Sequence, residues 1–193
     1  MRSLALVLAL AAGCGAKSAG TRLDGSVRDT AAAETSAPLD TAPVCPGMPD
    51  YTSADQCNTV PNTAVAVSFT DGTGDPPAFT GGTILDGVYQ ATKVEGWNPV
   101  SRTGRRFTIV VAEQGKKLFW SGDVLTETES VSLKAITTAA TSGNQLTQAA
   151  LCLQGAVGIP NTMSYTATPS RLVLAATQGD ALLVTTYTRM GCP

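Results

Sequence analysis

Apolar and polar positions alternate repeatedly after residue 60. Val65, Val67 and Phe69 alternate in TAVAVSFT, and the turn-rich DGTGDPP follows. Alternation with a period of two marks a strand with one buried face. Further strands are expected from Thr83 to Val94, over 105–112 on Phe107, Ile109 and Val111, and from Lys117 to Val124. Val131, Leu133 and Ala135 mark the next, and 144–153, 162–168, 171–177 and 181–190 complete the series. The links are short and carry turn residues, as in Thr141-Ser142-Gly143-Asn144, Pro169-Ser170 and Gln178-Gly179-Asp180. The Ala/Thr run at 135–141 reads as strand, because its β-branched residues disfavour helix. No stretch carries a sustained helical period.

Counted from residue 83, the pattern gives eight antiparallel strands, with 63–70 covering an edge. Eight short strands in chain order predict an all-β, up-and-down barrel, which removes sheet edges. A closely related β-sandwich is the alternative. A barrel of this size is either filled or holds one small ligand.

The start of the chain has a different pattern. Met1-Arg2-Ser3 is basic, and Leu4 to Ala12 is an unbroken apolar run of nine residues. A bilayer span needs about 20 residues, so the run reads as a secretory signal over 1–13. Residues 15–44 have Leu23, Val27, Leu39 and Val44 as their only large aliphatics. Such a segment cannot bury enough surface to offset its ordering entropy, and a disordered tether is expected over 14–44. The globular domain is expected over 45–193.

Composition narrows the chemistry. The 193 residues carry 13 Lys+Arg and 15 Asp+Glu, a net charge of -2, which gives no footprint for nucleic acid. Histidine is absent, which removes His general bases, Cys/His zinc sites and histidine pH switches. Gly13-Cys14-Gly15-Ala16-Lys17-Ser18 fails as a phosphate loop, because Ala16 separates Gly from Lys. Asp71-Gly72-Thr73-Gly74-Asp75 spaces oxygens as a calcium loop does, but the twelfth position is Gly82 rather than Glu. A turn explains it. Asp86 at a strand start is expected to bond a loop, and Glu127 and Glu129 belong to a solvated hairpin. No G-x-S-x-G or S-x-x-K motif occurs. No catalytic residue, cofactor or metal is expected, and the chain reads as a non-enzyme. The basic pairs Arg105-Arg106 and Lys116-Lys117 begin successive antiparallel strands. They lie at opposite ends of a hairpin and are read as solubility and edge protection.

Leu10-Ala11-Ala12-Gly13-Cys14 resembles the bacterial lipobox, with Leu10 one residue earlier than usual. The resemblance implies lipidation of Cys14, a membrane anchor of several acyl chains and, from Gly15 after the cysteine, sorting to the outer membrane of the cell envelope. Gly87-Val88-Tyr89 resembles the Gly-x-Trp that opens the first strand in the lipocalin and calycin group, with Tyr in place of Trp. That likeness covers about residues 83–190. It implies a lipocalin-like barrel in which Arg189, on the last strand, packs over the aromatic.

Four cysteines remain beside Cys14: Cys45, Cys57, Cys152 and Cys192. In an exported chain they are expected to form two disulfides. Proximity would pair Cys45 with Cys57 and Cys152 with Cys192. In a simple meander, however, Cys152 and Cys192 fall at opposite mouths. A ten-residue strand spans about 33 Å and a disulfide needs Cα atoms within about 7 Å. Either Cys45 and Cys57 each pair with a barrel cysteine or the strand count is off by one; the first is favoured, and it would strap 45–62 onto the barrel.

Phe119 and Trp120 are adjacent in one strand, so one faces inward and the other outward. The outward ring is expected under the 45–82 segment or on a binding surface. Trp97, in EGWNPV, is placed near a mouth. Trp97, Phe119 and Trp120 are the candidate ligand-binding residues. The expected role is a lipid-anchored protein that binds a small apolar ligand or an envelope protein. The alternatives are a structural or surface-display lipoprotein with a filled core, and an inhibitor of a secreted hydrolase.

Overall fold

Phe107, Ile109 and Val111 are all buried within the barrel, as their alternation requires. The computed structural model describes residue 45 and residues 48–98, 102–126, 128–155 and 158–193. The signal segment 1–13, the lipidation candidate Cys14 and the tether to residue 44 lie outside the described residues. The described residues form one compact unit.

Its strands are β1 (Phe69–Asp71), β2 (Gly87–Trp97), β3 (Gly104–Ala112), β4 (Lys117–Leu125), β5 (Ser130–Ser142), β6 (Gln145–Gly155), β7 (Thr162–Thr168), β8 (Arg171–Gln178) and β9 (Ala181–Gly191). From β2 onward each strand pairs antiparallel with the next, and β9 returns to β2. The result is a closed, eight-stranded up-and-down barrel with one extra strand. It is not a sandwich. The 135–141 run is β-strand, within β5.

β1 is shorter than the 63–70 strand expected, and it fills a gap instead of covering an edge. β2 pairs with β3 only from Gly87 to Gln90. Beyond that the two strands diverge, and Phe69–Asp71 runs parallel to Val94–Gly96. Val67 exchanges backbone hydrogen bonds of 2.8 and 2.9 Å with Arg105 on the β3 side. The backbone groups freed by the divergence thus gain partners, as buried amides require.

The segment before the barrel wraps its outside. Cys57 and Val60 join Val110, Phe119 and Ile136 in a cluster on the outer face of β3–β5. The Tyr51 ring meets Phe119 edge-on at 5.7 Å. Asn58 is fully buried, and its amide donates to the carbonyls of Trp120 (2.9 Å) and Ala135 (2.8 Å). Phe79 and Trp97 cover Val173, Ala175 and Val184 on the outer face of β8–β9.

Disulfides join Cys45 to Cys192 and Cys57 to Cys152, with Cα–Cα distances of 5.4 and 5.5 Å. Each links the strap to a barrel cysteine, the arrangement that strand direction favours over sequence proximity.

One end of the barrel is closed by Gly82–Asp86. Ile84 belongs to the interior cluster. Tyr165 donates its hydroxyl to the Gly82 carbonyl (2.9 Å) and Tyr89 donates to that of Leu85 (2.8 Å). Gly87 follows with φ 147°, a conformation that favours glycine. A Cβ there would also lie 2.9 Å from Arg189 Nε, so glycine lets the arginine close over the strand start.

Candidate functional site

Core residues fill the closed half of the barrel and leave space toward the other end. A cavity of about 500 Å³ lies there, within the range of small-molecule sites. Phe107, Trp120, Leu133, Met163, Leu174 and Leu183 supply most of its apolar wall. Arg105, Thr177, Thr185 and Tyr187 supply the polar side chains.

Part of the wall is loop, not strand. β6 and β7 pair only from Gln145 to Thr147. Gly158, Ile159 and Pro160 line the cavity beside the gap this leaves. A buried polar chain fixes that loop to the barrel. Trp120 Nε1 donates to Thr137 Oγ1 (3.2 Å), and the Thr137 hydroxyl donates to Gln148 Oε1 (2.9 Å). Gln148 then donates from Nε2 to the Pro160 carbonyl (3.2 Å) and from its main chain to that of Asn161 (2.7 Å).

Of the three aromatic candidates, Trp120 alone lines the cavity. Trp97 ends β2 near the mouth but turns outward, where Nε1 donates to the Gly74 carbonyl (2.9 Å). Its ring lies against Gly72, so close that a Cβ there would collide with it. Phe119, one residue before Trp120, points to the outer face by strand alternation and packs under the strap. It borders a second, more open groove at the closed end, with Met48, Lys116 and Lys117.

Arg105 is the cavity residue that sequence reasoning missed. Read as surface charge, it instead shares the inward phase of Phe107, Ile109 and Val111. The guanidinium carbon stands 5.8 Å from the centre of the Phe107 ring. Arg106, one position on, faces out and donates to Asp123 at 2.9 and 2.6 Å. Arg102 likewise donates to Asp71 at 3.0 Å. Arg105 has no carboxylate partner among the described residues, and its buried Nε has no hydrogen-bond partner there. Burial pulls its pKa down, against the upward pull of Tyr187. Burial pushes the Tyr187 hydroxyl up to about 12, against the Arg105 charge.

Asp86 Oδ1 accepts from the Gly115 amide (3.1 Å), which is the loop-bonding role expected of it. Lys116 and Lys117 sit in and after the turn at the closed end, far along the β3–β4 hairpin from Arg105 and Arg106. Among the described residues no group of three Cys, Asp or Glu is placed to hold a metal. Glu127 lies outside the described residues. No protein-family model, curated protein or solved structure matches this chain.

Proposed function

We propose that this chain is an exported, lipid-anchored protein of the cell envelope, held to the outer membrane through Cys14, and that its barrel binds a small apolar ligand without chemical turnover. The observation that carries the reading is the cavity at the barrel's open end, about 500 Å³ in volume and walled mainly by apolar side chains. Burial of an apolar ligand there removes its surface from water, the dominant favourable term in such binding. A space of this size favours ligand binding over a display protein with a filled core.

Other observations support the location. Two disulfides in a chain with an apolar N-terminal run fit an oxidising compartment. Tyr89 is paired with Arg189 across β2 and β9, beside Gly87, which fits the calycin likeness. Cys45 is joined to Cys192 at the closed end, so the barrel unit is entered opposite its mouth.

Native mass spectrometry of residues 45–193, which lack the lipidation site, exported to an oxidising compartment and purified without detergent, tests the reading. An added mass that is lost on denaturation supports it and identifies the ligand class. A clean apoprotein mass, together with failure to bind the uncharged probe N-phenylnaphthylamine, sinks it.

A further inference from the structure

We propose that the barrel cavity takes an apolar monoanion, such as a fatty carboxylate, whose charged group pairs with Arg105. The inference rests on the apolar-ligand reading above and assigns the ligand its charge.

Three arginines, Arg102, Arg105 and Arg106, lie on one short stretch of chain. Arg102 and Arg106 point outward, and each has a carboxylate, Asp71 and Asp123. Arg105 lies between them with its side chain in the cavity and has no such partner among the described residues. Exposed arginines lose little by lacking a partner, because water solvates them. A guanidinium with a buried, unbonded Nε is different: desolvation penalises the charge and leaves a donor unused. The energetically natural complement is an anion delivered into the cavity.

The surroundings limit that anion. One guanidinium offers one positive charge and a planar fork of donors, which matches a carboxylate. The neutral Tyr187 hydroxyl and Thr185 share the cavity and can donate to the same group without adding charge. A dianionic phosphate monoester would bring a second charge that no described cavity residue neutralises. The rest of the wall is apolar, from Phe107 and Trp120 across to Leu174 and Leu183. The ligand's remainder must therefore be hydrocarbon or aromatic. Arg105 also lies one residue into β3, at the mouth end of the barrel, where a charged head can arrive from water.

The test uses the oxidised full chain, with tryptophan fluorescence and calorimetry as readouts. Dodecanoate and dodecanol are titrated into the wild type and into Arg105→Gln. The expected result is tighter binding of dodecanoate than of dodecanol by the wild type. Arg105→Gln should lose roughly tenfold or more in dodecanoate affinity, so that the preference for the acid over dodecanol disappears. Equal affinity for the two probes in the wild type overturns the charge assignment and leaves the apolar-ligand reading standing. Binding of neither probe overturns both. Arg105→Lys keeps the charge and should retain preference for the acid. If Arg105→Gln does not fold, as read by near-ultraviolet circular dichroism, the wild-type comparison of acid and alcohol decides the question alone.

Discussion

Arg189 donates two hydrogen bonds, of 3.0 and 2.6 Å, to the main-chain carbonyl of Asp86. The end of the last strand is thereby bound to the segment that closes the barrel, 103 residues earlier in the chain. Asp86 in turn holds the β3–β4 turn through Gly115. Replacing Arg189 by Met keeps the bulk and removes both donors. The variant is expected to lose about 1.5–3 kcal/mol, the range for hydrogen bonds from a charged group. A urea titration should show a lower midpoint with an unchanged slope.

Asn58 gives a sharper contrast between two small changes. Its amide nitrogen faces two carbonyl oxygens, and its oxygen accepts from the Val60 amide (3.1 Å). Asn58→Ala leaves those groups without their partner. Asn58→Asp goes further, since it sets a carboxylate oxygen against two carbonyl oxygens in a buried site. Asn58→Ala is expected to cost about 1–3 kcal/mol and Asn58→Asp more than that. The order of the two thermal midpoints at neutral pH checks it.

The two disulfides span 147 and 95 residues of chain. Removing either pair as a double Ala variant is expected to cost about 2–5 kcal/mol. Loss of Cys57–Cys152 should also loosen the strap over Phe119. Hydrogen exchange should then rise at Val60 and along the outer face of β4, more than in the Cys45/Cys192 variant.

Asp123 sets an acid limit. Burial pushes its carboxyl up, but the Ser132 hydroxyl, the Arg106 guanidinium and the Asn62 amide together hold it below the ordinary value. A carboxyl whose folded-state pKa is lowered contributes stability that is present above its unfolded value, about 3.9, and is lost as pH falls through the folded value. Wild type should therefore be more stable than Asp123→Asn at pH 7. The gap should close as pH falls below about 4. Urea midpoints across that range give the comparison.

Tyr187 sets the opposite limit. Its pKa is raised to about 12 by burial, so the folded state holds a proton that the unfolded chain releases near 10. Stability is lost as pH rises from about 10 through about 12. Absorbance titration should show a tyrosine ionisation near pH 12 that is missing in Tyr187→Phe.

Most of the barrel was legible because apolar alternation recurs along the chain between short turn-rich links. Phe107, Ile109 and Val111 gave β3, and 162–168 emerged as β7 without change. Strand direction set the nearest-neighbour disulfides against a simple meander and tipped the choice to the cross-pairing that the structure shows. The route of 48–64 was not legible, because side-chain hydrogen bonds guide it in place of a hydrophobic period. Asn58 and Asn62 donate to β-strand carbonyls, and Thr108 accepts from the amides of Thr63 and Ala64. Such pairings join positions about 45 to 77 residues apart and leave no local trace. Arg105 was hidden for another reason. An Arg-Arg pair reads as surface charge when taken together, whereas alternation sends one side chain in and the other out. The phase that Arg105 shares with Phe107 is the signal in the sequence that marks it as inward.

The bridge between Cys45 and Cys192 makes residues 45–192 a covalent ring. A peptidase that cuts a single exposed turn, such as 143–144 or 169–170, opens the ring without releasing a fragment. The nicked protein keeps both halves attached and its strands paired. Separation of the pieces needs a reductant as well as a protease, two agents that rarely act together outside the cytoplasm.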